Sequence, residues 1–114
     1  MKPLFAAEAA RDAVAANADR PATAIVHDSE DARLVVFRLA PGQHVPPHSS
    51  TSTVCLRVLA GSGQLTGGDD AYPLTRDVNS GDMVIYQPKE LHGMRAFDDE
   101  LLLLATITPR PGAR

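Results

Sequence analysis

The sequence predicts an all-β domain, an antiparallel β-barrel or jelly roll with a short N-terminal helix. Three observations predict it. After Pro21, short segments rich in Val, Ile, Leu and Thr recur, each bounded by Gly, Pro, Asp, Asn or Ser. Many short strands in under a hundred residues favour a closed or two-sheet architecture, which protects strand edges and can enclose a small cavity. The whole chain of 114 residues supports one core and excludes a second domain. The segments are a helical stretch at 1–20, a barrel at 21–108 and a tail at 109–114.

Taken in order, residues 5–18 (FAAEAARDAVAANA) are alanine-rich and free of Gly and Pro, which predicts a helix. Its few large apolar side chains, Leu4, Phe5 and Val14, suit a flap packed on the barrel and not a core of its own. Five strands are read directly from ATAIVH, ARLVVFRLA, TVCLRVLA, DMVIY and ELLLLATIT, within a total of roughly eight. Turn chemistry at Ser29 to Asp31, Gly61 to Gly63, Gly67 to Asp70, Asn79 to Asp82 and Phe97 to Asp99 predicts hairpins. The run from Leu101 to Ala105 is far shorter than the roughly 20 residues of a membrane-spanning helix and reads as a buried strand. The PRPGAR end is expected to fray.

Composition narrows the function classes. Eleven Lys plus Arg against 14 Asp plus Glu leave a net charge of −3, which offers no field for phosphate backbones or anionic lipid. No nucleic-acid or membrane partner is expected. Two Tyr, three Phe and no Trp leave few stacking platforms. The single Cys55 has no partner for a disulfide or a thiolate metal site, and no signal-peptide pattern precedes Glu8, so a cytoplasmic location is expected.

Two histidines sit in informative contexts. In APGQHVPPHSSTSTVCLRVLAG, Gly42 precedes His48 by six residues and Gly61 follows it by thirteen. In SGDMVIYQPKELHGMRA, a Gly81-Asp82 turn leads through a strand and Pro88 to His92. Over about residues 32–108 the chain resembles the cupin superfamily, whose motifs are Gly-x5-His-x-His-x(3,4)-Glu-x6-Gly and Gly-x5-Pro-x-Gly-x2-His-x3-Asn. The resemblance implies a double-stranded β-helix, a central divalent metal held by three histidines and a glutamate, and a homodimer. His48 matches the first histidine and His92 the last. Ser50 stands at the second histidine's position and Val54 at the glutamate's. In the second motif Pro88 is displaced by one, Lys89 and Glu90 cover the expected glycine, and Ala96 replaces the asparagine.

The chemistry of that loss is direct. Zinc takes about four ligands, and non-haem iron takes two histidines with a carboxylate. His48 and His92 alone leave two readings open: a weakly held divalent ion (iron, manganese, nickel, copper or zinc), or a metal-free polar pair. His44 is a weaker third candidate, since four extended residues place it about 13 Å from His48, with Pro46 and Pro47 able to kink the path. Ser50, Val54, Leu56, Val58 and Met94 are expected to line the pocket on the same faces. Cys55, of opposite parity to Val54, should face away as a structural thiol, and His27 should lie at the surface. Among Arg33, Arg38 and Arg57, an inward-facing side chain would suit an anionic ligand, although outward-facing is commoner. No Gly-x-Ser-x-Gly elbow supports a serine nucleophile near His48, and the glycine pairs open no helix that could cradle phosphate. The reading is a small-molecule-binding barrel. Its alternatives are a metal-dependent enzyme of dioxygenase or isomerase type and a metal-free sensor or accessory module.

Overall fold

A computed structural model describes residues 1–112. The helix α1 (Ala6–Asp12) precedes nine strands: β1 (Ala22–Asp28), β2 (Arg33–Leu39), β3 (His44–His48), β4 (Thr53–Ala60), β5 (Ser62–Gly68), β6 (Pro73–Asn79), β7 (Met83–Tyr86), β8 (His92–Ala96) and β9 (Leu101–Thr108). They form two sheets, ordered β1-β2-β9-β4-β7 and β3-β8-β5-β6, and every strand pair is antiparallel.

The two sheets face each other across one core, to which inward residues of β2 to β9 contribute. Val54, Leu56 and Val58 of β4 lie opposite Ile107, Ala105 and Leu103 of β9. The other parity of β4, Cys55 and Arg57, faces outward, with Cys55 half-buried. The apolar run of β9 is continuous because both its faces are covered. Leu101, Leu103 and Ala105 enter the main core, while Leu102 joins Ala10 of α1 and Val36 in a second cluster outside the sheet.

The helix is shorter than the sequence suggests. It stops at Asp12, where Ala13 turns extended and its carbonyl accepts a 2.7 Å hydrogen bond from Arg38 Nη2. Seven residues form too little helix to persist alone, so packing sets its length more than alanine propensity does. It does lie as a flap on the barrel, but through Ala10 and Ala13; the expected anchors Phe5 and Val14 are exposed.

Only two of the five turns close hairpins, those joining β1 to β2 and β5 to β6. Gly61, Asn79–Asp82 and Phe97–Asp99 instead carry the chain from one sheet to the other. Turn composition is the same in both cases, so local sequence cannot distinguish them. At Gly61 a positive φ of 84° combines with close approach of the Glu100 carbonyl, which leaves no room for a Cβ.

The chain end is tied down as far as it is described. Ser52 Oγ donates to Pro109 O at 2.7 Å, Arg110 N–H donates to Glu30 O at 3.3 Å, and the Arg110 guanidinium pairs with Asp28. The expected fraying is therefore corrected through Arg110. Residues 113–114 of the tail lie outside the described residues.

Candidate functional site

Pairing of β3 with β8 brings the two recognised histidines together. His48 and His92 are directly opposed, and their rings meet edge to face with centroids 4.1 Å apart. A bulge makes this register. Between Val45↔Met94 and His48↔His92, Pro46 and Pro47 oppose the single residue Gly93, whose missing side chain leaves space for Pro47.

The same bulge removes His44 from the site. In an unbroken strand His44 and His48 would share a face, but one extra residue reverses the parity. Val45 then joins the inward side opposite Met94, and His44 is exposed opposite Arg95. The prolines put His44 on the opposite face, and it does not line the cavity.

The pair lies at a cavity of about 220 Å³ inside one end of the barrel. Ser50, Val54, Leu56 and Met94 line it, as the motif positions and strand parity predict. Val58 does not. It lies one pair deeper on β4, beside Leu103, where Leu39 and Leu101 fill the closed end of the barrel. Phe37, Ala105, Ile107 and Pro111 complete the wall. The first three follow from inward strand parity on β2 and β9; Pro111 carries no sequence signal. Neither Arg33, Arg38 nor Arg57 reaches the cavity. Arg33 pairs with Asp28, and Arg38 holds Ala13 and Glu100.

The two imidazoles differ in environment. His48 is exposed at the mouth, and its Nδ1 lies 3.3 Å from Pro46 O. A carbonyl only accepts, so Nδ1 carries the proton and Nε2 of the neutral ring presents a lone pair. His92 is 8% exposed and its Nε2 is buried without a hydrogen-bond partner. Burial first, then the neighbouring His48, pull its pKa down to about 4, with Glu90 opposing. Behind it, Tyr86 packs with ring centroids 5.4 Å apart, and burial, aided by Glu90, holds the phenol protonated well above its ordinary range.

The loop between β7 and β8 is built to present His92. Glu90 accepts from the Gly68 N–H at 2.9 Å and the Gln87 N–H at 3.0 Å, tying the β5–β6 turn to this loop. Lys89 stands at the position of the second motif's glycine and keeps a left-handed backbone, φ 71°. Its N–H donates to Ser50 O at 2.7 Å, joining the loop to the segment after β3. His27, by contrast, is half-buried away from the site and bonds Lys2 and Ser29.

The donor set does not fit a resident metal of the kind the motifs imply. Ser50 and Val54 line the cavity in place of an imidazole and a carboxylate. No group of three His, Cys, Asp or Glu side chains converges on a point among the described residues. Two imidazoles fall short of zinc's four ligands and of the two-histidine, one-carboxylate face of non-haem iron.

Comparison with known proteins agrees with this architecture. The cupin domain family model matches residues 35–108, and the chain belongs to the cupin family. An RmlC-like cupin protein from Desulfovibrio desulfuricans is 29% identical, with a TM-score of 0.78 over 96% of this chain and 97% of that one. A conserved protein with a double-stranded β-helix domain from Klebsiella pneumoniae is 19% identical and superposes at TM-score 0.82, covering 100% and 95% of the two chains. An oxalate decarboxylase from Lactobacillus farciminis is 23% identical, with a TM-score of 0.72 over 88% of this chain and 32% of that one. No curated protein matches the sequence. No helix of the described residues is long and apolar enough to cross a membrane.

Proposed function

We propose that this protein is a small-molecule-binding cupin whose cavity receives its ligand directly against the His48–His92 pair. The carrying observation is the composition of the wall: the two histidines converge, while Val54 and Ser50 occupy the positions of the other two metal donors. A concave, mostly apolar pocket with a few polar anchors is the usual form of a small-ligand site. A divalent ion would be held weakly, by two imidazoles and whatever groups the ligand itself brings.

A thermal-shift screen of small organic compounds against the wild type and Ala105→Leu, which fills the cavity, tests this reading. Compounds should raise the melting temperature of the wild type and lose that effect in the variant. An absence of any stabilising compound, together with stoichiometric uptake of zinc, manganese or nickel in equilibrium dialysis, would overturn it. The second reading, a metal-dependent enzyme, draws on the unpartnered Nε2 of His92. It requires a turnover that needs added metal and is lost in both His48→Ala and His92→Ala.

The protein is further proposed to act as a cytoplasmic homodimer. Met83 and Ile85 are exposed on edge strand β7, and Tyr72 and Leu74 are exposed beside and on edge strand β6. These edges and apolar side chains would gain cover from a second copy. Sedimentation showing only monomer at micromolar concentration would contradict this.

A further inference from the structure

We infer that the cavity's ligand is a neutral six-membered ring compound bearing one hydroxyl, a phenol or cyclic alcohol, seated ring-inward with its hydroxyl at His48 and His92. The inference rests on the small-molecule reading above and narrows it to a chemical class.

Three features of the site point there. The first is charge: among the described residues, no Lys, Arg, Asp or Glu side chain lines the cavity. A carboxylate or ammonium placed inside would be buried without an opposite charge, which is strongly unfavourable.

The second is size and lining. About 220 Å³ exceeds the roughly 150 Å³ of an apolar cavity able to admit benzene, leaving space for a ring with a short substituent. Water is a poor occupant of the whole volume. About seven waters would fill it at about 30 Å³ each, and each needs two to four polar partners. Among the described residues the wall offers the side chains of His48, His92 and Ser50, and the Ser50 hydroxyl already accepts from the Ser52 N–H. Phe37, Leu56 and Met94 present ring, branched and thioether surfaces suited to a flat apolar body.

The third is hydrogen-bonding capacity. His92 Nε2 is buried and unpartnered, and its tautomer makes it either a donor or an acceptor. A hydroxyl satisfies both cases because it donates and accepts. In the tautomer where His92 Nε2 donates to it, its own proton is free for the Nε2 lone pair left on His48 once Nδ1–H is directed at Pro46 O. An ether or ketone can only accept, and a hydrocarbon leaves the buried nitrogen unpaired.

The test is calorimetric titration of the whole protein at pH 7.5 with phenol, cyclohexanol, benzoate and benzene, alongside ¹⁵N spectra of its histidines. Phenol and cyclohexanol should bind one to a chain and shift the His48 and His92 resonances. Each should bind at least about tenfold more tightly than benzoate and benzene, the effect of satisfying one buried hydrogen bond. The His92→Phe variant should lose that advantage over benzene. If that variant fails to fold, the wild-type histidine shifts still decide the point. Benzoate binding as tightly as phenol would overturn the neutral class. Benzene matching phenol would overturn the hydroxyl assignment while leaving small-molecule binding intact. Failure of all four probes would overturn the inference, and the Ala105→Leu screen would separately judge the broader reading.

Discussion

Lowering the pH should destabilise the protein through His92 before its carboxylates are titrated. In the unfolded chain this imidazole has an ordinary pKa of 6.5; in the fold burial and the neighbouring His48 hold it to about 4. Between these values the unfolded state binds the proton and the native state resists it. The contribution to stability is therefore complete above about pH 6.5, lost as pH falls toward 4, and constant below that. The full difference is worth about 3 kcal/mol at 1.36 kcal/mol per pH unit. His48 opens the site to solvent at the mouth, so screening lowers the expected loss by pH 4.5 to about 1–2 kcal/mol. Urea unfolding at intervals from pH 7.5 to 4.5 should show this loss in the wild type and a flatter profile in His92→Gln. Parallel profiles for the two proteins would refute the assignment of the acid sensitivity to His92.

Other parts of the account make independent predictions. Gly61→Ala should cost at least about 2 kcal/mol in denaturant unfolding, because the new Cβ meets the Glu100 backbone at a positive φ; a change below 0.5 kcal/mol would contradict that contact. Lys89→Gly should stabilise the protein by about 0.5–1 kcal/mol by relieving the left-handed backbone at φ 71°, and a clear fall in melting temperature would show that the side chain contributes more than the strain. Arg38→Ala removes the donor to Ala13 and the partner of Glu100, so hydrogen exchange should accelerate across residues 6–13 while protection of β9 persists. Unchanged exchange in the helix would show that packing of Ala10 alone holds it.

Much of this fold is legible because strand alternation and turn residues are local signals. Val54, Leu56 and Met94 could be assigned to the cavity from motif position and parity alone, and so could the convergence of His48 with His92. Val58 shares their parity but not their depth, and depth is set by how Leu39 and Leu101, on neighbouring strands of the same sheet, pack beside it. The face of His44 turns on one bulged residue at Pro46–Pro47, which prolines permit but do not specify. Likewise, alanine propensity gave a helix through residue 18, whereas the Arg38 bond at Ala13 accompanies its end at Asp12. Pro111 reaches the cavity through contacts of Ser52 and Asp28 with the chain end, contacts between residues distant in sequence.

The central proposal is that, with Ser50 and Val54 at two of the four donor positions of the cupin motifs, the cavity takes an organic ligand and no resident metal. Metal analysis by mass spectrometry, on protein purified without chelator and dialysed, tests it most directly when paired with the double variant Ser50→His, Val54→Glu. The wild type should carry far less than one ion per chain, and the double variant, with three imidazoles and a carboxylate facing one cavity, should approach one. One firmly held ion per wild-type chain, lost in both His48→Ala and His92→Ala, would contradict the claim.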